Sequence, residues 1–250
     1  MRKILLYFAL KYQGDYNKIY QAIKAKEKVQ TDDIIDIENK IKCNYVTIVD
    51  KDYPQSLKSI GNPPLVLFYY GDISLLYKPN TLAIIGKRKN SQYGLQVCKE
   101  IVSGLKEYNS IVISGLAMGI DSIAHQSAIE NNLKTIAVLG SGIDYCYPSS
   151  NINIYNEIKN KGLIVSEYPN DILPTPNNFL IRNRIIAALS DSIIVIEANY
   201  KSGTMNTVSY GLEFGKDIYA VPHLANSNSG CNYLIKQGAK LIECAKDIYE

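Results

Sequence analysis

The chain has only two histidines, His125 and His223, and an odd number of cysteines, five. No two cysteines form a Cys-x-x-Cys, and their spacings match neither a metal cluster nor a disulfide framework. A zinc site and an oxidative scaffold are thereby excluded, and free thiols in a reducing compartment are expected. No apolar run approaches the ~20 residues that cross a bilayer. The N-terminal run 4–10 stops at Lys11 with no small-residue cleavage site after it. The expected location is cytoplasmic, with no membrane contact. An excess of one charge is also lacking: the formal net charge is +3, so any nucleic-acid surface must be local. No Gly-Lys-Ser/Thr stands at Walker A spacing. Gly140-Ser141-Gly142 imitates the start of a dinucleotide fingerprint, but Tyr145 stands where its last glycine belongs. Neither a P-loop nor an NAD site is expected, and no cofactor or metal.

What is present suits one α/β domain with a small appendage. The length is 250 residues, 46% of them hydrophobic and 20% charged, which excludes a disordered chain. Residues 1–42 are lysine-rich and helix-patterned, with Ile4, Leu5, Phe8 and Ala9 on one face and Ile19, Ala22 and Ile23 on another. They predict a short N-terminal helical segment. The run Lys24-Ala25-Lys26-Glu27-Lys28 either touches a nucleic-acid backbone or is a solvated helix face. Residues 43–250 form the main domain. Strands are predicted at 45–49 and 65–70, then at 82–85, 111–113, 135–139, 163–165, 192–196, 218–221 and 240–242. Helices fall between the later ones, at 92–107, 119–131, 151–161, 178–189, 204–215 and 231–237. Strands this apolar on both faces, alternating with helices, predict a mostly parallel sheet covered on each side. That is an extended Rossmann-like, doubly wound α/β fold, whose ligands bind outside the carboxyl ends of the strands.

The loops at those ends carry the chemistry. Ser114-Gly115-Leu116-Ala117-Met118-Gly119-Ile120-Asp121 follows an apolar strand and opens a helix. Unpartnered first-turn N–H groups and the helix dipole favour an anion there; the alternative is a tight turn that binds nothing. Gly86-Lys87-Arg88-Lys89 places three consecutive cations at a strand end, which is costly without a nearby anion. Phe179-Leu180-Ile181-Arg182-Asn183-Arg184 follows the proline-rich stretch 169–176 and offers guanidinium to phosphate and ring to base. The competing reading puts Phe179 in the core and one arginine on a local carboxylate. Glu197-Ala198 and Ser202-Gly203-Thr204 form a further strand-to-helix turn, with both hydroxyls natural caps. Asp121 and His125, four apart, are expected to make a structural contact. No Ser or Cys nucleophile stands at a recognisable elbow, so no catalytic residue is assigned.

Together these motifs resemble a known family. Ser-Gly-Leu-Ala-x-Gly-Ile-Asp-x-x-Ala-His at 114–125, Tyr147-Pro148, Ser166-Glu167-Tyr168, Phe179-x-x-Arg-Asn-Arg-Ile-Ile-Ala, Glu197-Ala198 with Ser202-Gly203-Thr204, and Leu234-Ile235-x-x-Gly238-Ala239 occur in order. Asp52-Tyr53-Pro54-x-x-Leu57 and Pro63-Pro64-x-x-Leu67-Phe68 with Gly71 precede them. The succession, over roughly residues 45–244, is similar to that of the bacterial DNA-processing protein A family (DprA, also called Smf). The resemblance implies a non-enzymatic protein that binds single-stranded DNA. Such proteins protect incoming strands in natural transformation, help load the RecA recombinase in recombination, and typically form homodimers. It implies a DNA site of Lys87, Arg88, Gly115, Gly119, Phe179, Arg182, Asn183, Arg184, Ser202, Gly203 and Thr204.

The chain departs from the family pattern in places. Lys87 stands where a small residue is usual, Ser149 where a basic residue often follows Tyr-Pro, and Pro222-His223 where Pro-Gly is usual. Gly211 lies inside a predicted helix at a cost of roughly 1 kcal/mol. Several of these fall where family members dimerise and contact RecA. No C-terminal winged-helix domain is expected. The enzyme alternative is a Rossmann-type nucleoside-monophosphate phosphoribohydrolase, but Thr207 stands where that family's catalytic glutamate would fall. A nucleotide-binding sensor on the same scaffold is the other alternative.

Overall fold

Successive residues of a strand face opposite ways, so strands without a polar side must be covered twice. The computed structural model, which describes residues 1–250, has that arrangement. Helices α1 (Arg2–Lys11), α2 (Tyr16–Lys24) and α3 (Thr31–Ile35) come first. Strand β1 (Asn44–Thr47), helix α4 (Gln55–Lys58) and strand β2 (Val66–Gly71) follow. The alternation then runs β3 (Thr81–Gly86), α5 (Gln92–Gly104), β4 (Ile111–Ser114), α6 (Ile120–Glu130) and β5 (Thr135–Gly142). It continues through α7 (Ile152–Lys161), β6 (Leu163–Tyr168), α8 (Pro176–Leu189) and β7 (Ser192–Glu197). It closes with α9 (Gly203–Glu213), β8 (Asp217–Ala220), α10 (Gly230–Lys236) and β9 (Lys240–Leu241).

The nine strands form one sheet in the order β1-β2-β6-β5-β4-β3-β7-β8-β9. β2 pairs antiparallel with both β1 and β6; every other pair is parallel. Ala83, Ile85, Ile193 and Val195 pack on one face beneath α8, α9 and α10. Leu82, Ile84, Ile194 and Ile196 alternate to the other face, beneath α5 and α6. The chain leaves the neighbouring strands β3 and β7 by α5 and α9, on opposite faces, which makes their carboxyl ends the topological switch point.

The N-terminal segment has no core of its own. Leu5, Leu6, Phe8, Ala9, Ile19 and Ala22 join a single cluster with Phe68, Leu116, Ala137, Tyr155 and Ile158. In the lysine run, Lys24, Lys26 and Lys28 are exposed, and Glu27 is taken by Lys11 and Tyr12 at 2.7 and 2.6 Å. β5 and β6 run past their predicted ends because Gly142 pairs with Tyr168 beyond an irregularity in register. α8 starts two residues earlier than predicted, with Pro176 in its first turn and Thr175 Oγ1 accepting the Asn178 N–H. No helix is long and apolar enough to cross a membrane.

Candidate nucleic-acid interface

The switch point is filled by the protein itself. Glu197, at the carboxyl end of β7, is buried against the start of α5. Its carboxylate takes Lys87 Nζ at 3.0 Å, the Ser91 N–H at 2.8 Å and the Ser91 hydroxyl at 3.0 Å. Burial works against its charge, yet these donors hold the carboxyl below its usual range. A carboxylate therefore sits where an α/β nucleotide protein would put a phosphate. Lys87, expected to meet an external anion, meets this internal one.

The glycine turn after β4 is equally tied down. Leu116 is fully buried at a φ of +55°, and its carbonyl accepts from Asn151 Nδ2 at 2.9 Å. Gly119 has a φ of +80°, and its Cα lies so close to the Lys87 and Arg88 carbonyls that no Cβ fits. The Ile120 N–H donates to the Lys87 carbonyl at 3.1 Å, the Ser122 N–H to Ala117, and the Gly115 N–H to Asp121 Oδ2 at 3.1 Å. Several donors expected to hold an anion are thus used internally. The N–H groups of Met118 and Gly119 make no hydrogen bond within the chain.

Arg182 and Arg184 differ from their sequence expectation, because in the fold neither is a surface cation. Arg182 is 3% exposed. Its NH1 donates to the Gly115 carbonyl at 2.8 Å and to the Val138 carbonyl, and its guanidinium packs against Gly115 Cα. Burial lowers its pKa to about 10, which leaves it charged at neutral pH. Arg184 pairs with the buried Glu167 at 2.7 Å and donates to the Asn62 and Ile181 carbonyls. Asn183 bridges α8 to α9 through the Gly203 carbonyl and Asn206 Oδ1. Ser202 and Thr204 do not cap α9: their hydroxyls donate to the Asn199 and Gly86 carbonyls. Gly140 and Gly142, the false fingerprint, face the Phe179 ring and the 170–172 backbone.

One group of side chains remains turned to solvent at this edge. Arg88 is exposed, and its Cζ lies 5.2 Å from the Phe179 ring centroid. Phe179 is half-buried, and the Arg182 Cζ also approaches its ring, at 5.9 Å from the centroid. The exposed Tyr147 ring stands 5.7 Å from Phe179. Met118, from the glycine turn, is also exposed. Tyr147 was visible in the sequence as part of Tyr147-Pro148, but nothing local announced that it would stand beside Phe179. Asn151 and Glu197 support the loops from beneath, and that role follows only from the tertiary contacts.

The expected Asp121–His125 contact does not form. Asp121 turns to the Gly115 amide, and His125 Nδ1 lies 2.7 Å from Thr135 Oγ1. That hydroxyl already donates to the Val112 carbonyl, so the imidazole donates to it. Burial drops the His125 pKa to about 3 from an ordinary 6.5. The unfolded chain takes up this proton first on acidification, so stability is lost as pH falls from 6.5 toward 3. The expected cost is about 1.4 kcal/mol per pH unit within that window. Urea titrations at pH 7 and pH 5 check it: wild type should lose about 2 kcal/mol more than His125→Gln over that interval.

An α/β protein of the Rossmann-like class, with its nucleotide position self-occupied and a cation–aromatic face beside it, is what the fold and this edge define. The sequence profile of the DNA recombination-mediator protein A family matches residues 44–250, and the chain belongs to that family. It is similar to the DNA processing protein DprA of Streptococcus pneumoniae, at 40% identity over 81% of this chain and 72% of that one. The X-ray structure of DprA from S. pneumoniae superposes with a TM-score of 0.82 at 32% identity, covering 98% of this chain and 95% of that chain. The DNA processing protein A structure from Helicobacter pylori, described for its single-stranded DNA binding mode, gives a TM-score of 0.75 at 32% identity. It covers 83% of this chain and 94% of that one.

Proposed function

We propose that this protein binds single-stranded DNA along the edge formed by Arg88, Phe179, Tyr147 and the 115–119 turn, and that it acts as a recombination mediator. The observation that carries the proposal is the exposed Arg88 guanidinium over the Phe179 ring, with Tyr147 alongside. Phosphates meet Arg88 and the Met118 and Gly119 amides, and bases stack on Tyr147 and the open side of Phe179. Arg182 adds a buried positive charge beneath the turn, while Lys87, Asn183, Arg184 and the 202–204 turn set the loop positions. No bond is made or broken, and the buried Thr207 offers no general acid or base where the hydrolase alternative needs one. The sensor alternative loses its phosphate position to Glu197. Handing the strand to RecA, acting as a homodimer and working in the cytoplasm belong to the same reading. The contacts proposed here are to phosphates and to ring faces, so binding is expected to be nearly independent of sequence.

Anisotropy of a labelled ~30-nucleotide oligo-dT beside a matched duplex, at two salt concentrations, tests the proposal, the slope being about −0.7 per phosphate neutralised. Arg88→Ala should weaken single-strand binding about tenfold or more, roughly 1.4 kcal/mol, with an unchanged melting temperature. Equal affinity of wild type and Arg88→Ala would remove this face from the function.

A further inference from the structure

A sizeable cavity lies away from the Arg88 face. About 740 Å3 of open space separates the turn between α1 and α2 from the 171–178 stretch and the first turns of α8. A small-molecule site has this size. The buried Glu167–Arg184 pair borders it. Arg184 is turned to three protein acceptors, the Asn62 and Ile181 carbonyls and Glu167 Oε1. Glu167 is 4% exposed; its Oε1 takes Arg184, whereas Oε2 makes no hydrogen bond within the chain and opens on the cavity. That oxygen has no protein donor, so a ligand that brings an N–H to it makes a charge-assisted hydrogen bond.

The walls define the chemistry of that donor. Three carboxylates, Asp15, Glu167 and Asp171, face the cavity against two cations, Lys18 and Arg184. Both cations are already paired, Lys18 with Asp15 at 3.6 Å and Arg184 with Glu167 at 2.7 Å. The excess negative charge repels a phosphate and attracts a cation. Tyr12, Tyr16 and Tyr168 line the same space, aromatic surroundings that suit a planar or quaternary cation.

We propose that this cleft binds an organic cation bearing a guanidinium or ammonium group, which donates to Glu167 Oε2 and lies among the tyrosines, with Asp171 at the mouth. The cation is either a free small molecule or the side chain of a partner peptide, and the test separates the two. Calorimetry at low salt uses arginine amide in one arm and a short, end-blocked arginine-containing peptide in the other. Saturable binding to wild type is expected at roughly millimolar affinity or better. Glu167→Gln keeps an acceptor for Arg184 but removes the charge, and it should weaken binding at least tenfold. Because that buried change risks the fold, Asp171→Asn in the exposed loop serves as the second variant and should weaken binding several-fold. A peptide that binds ten times tighter than arginine amide identifies a protein partner; equal affinities identify a free cation. No saturable binding of either probe at about 10 mM overturns the proposal. So does equal binding to wild type and Asp171→Asn, or inorganic phosphate binding as well as arginine amide.

Discussion

Arg182→Ala is expected to lower stability by about 4–6 kcal/mol, and it should abolish single-strand binding only because the edge it supports collapses. The guanidinium donates to the Gly115 and Val138 carbonyls, both buried, and Ala offers neither bond. An unsatisfied buried carbonyl costs about 1–3 kcal/mol. The void left by a long side chain adds about 2–5 kcal/mol. Asp121 is also buried, and the Arg182 charge offsets part of the desolvation that raises its pKa. In a chain of this size the loss corresponds to roughly 10–20 °C in melting temperature. Thermal unfolding followed by circular dichroism checks it, and the comparison with Arg88→Ala gives the result its meaning. Arg88 should change affinity without changing stability, whereas Arg182 should change both. If Arg182→Ala melts with wild type yet binds DNA tenfold worse, Arg182 is a surface contact in solution and the buried geometry is not the operative one.

That contrast marks where sequence reasoning reaches and where it stops. The sheet was legible because its signal is local: Leu82 to Ile85 is apolar at every position, and such a strand has only one kind of place in a fold. The switch to helices was legible from spacing and from breaks such as Pro176. The elements at the carboxyl edge were legible as well, since Gly115, Gly119, Phe179 and Arg88 all lie in loops or first turns there. What local sequence does not carry is which cation is spent inside. Arg88, Arg182 and Arg184 look equally available in the sequence, yet Glu167 and two carbonyls of the glycine turn and its neighbouring strand claim the last two. Glu167 is 17 residues from Arg184, and Gly115 is 67 from Arg182, so these pairings are products of topology. The same holds for Glu197, whose partner Lys87 is 110 residues away. Asp121 and His125 show the converse error. Their four-residue spacing suggested a pair, but each found a better-placed partner in a neighbouring loop or strand.

Arg184→Met should be the other severely destabilising change, and its deficit relative to wild type should shrink as pH falls. Glu167 and Arg184 are 4% and 5% exposed, so most of the ion pair is shielded from the screening that weakens a surface bridge. Removing one member leaves a bare buried charge, which costs about 3–5 kcal/mol. Burial already pushes the Glu167 carboxyl above its usual range, with Arg184 opposing that push. Without the guanidinium the carboxyl rises further, and the variant relieves its strain by binding a proton. A folded-state pKa raised above the unfolded value gives stability that is present at low pH and lost as pH rises through the folded value. The deficit of Arg184→Met relative to wild type should therefore shrink on acidification from pH 7 toward 5; the His125 contribution is common to both chains and cancels in that difference. Placing Glu167→Gln on top of Arg184→Met removes the charge altogether and should return about 1–3 kcal/mol at pH 7, with most of the acid recovery gone. Urea unfolding of the wild type, Arg184→Met and the double variant at pH 5 and pH 7 measures each quantity. A loss below about 1 kcal/mol in Arg184→Met would mean that water reaches Glu167 freely and the pair is no more than a surface bridge.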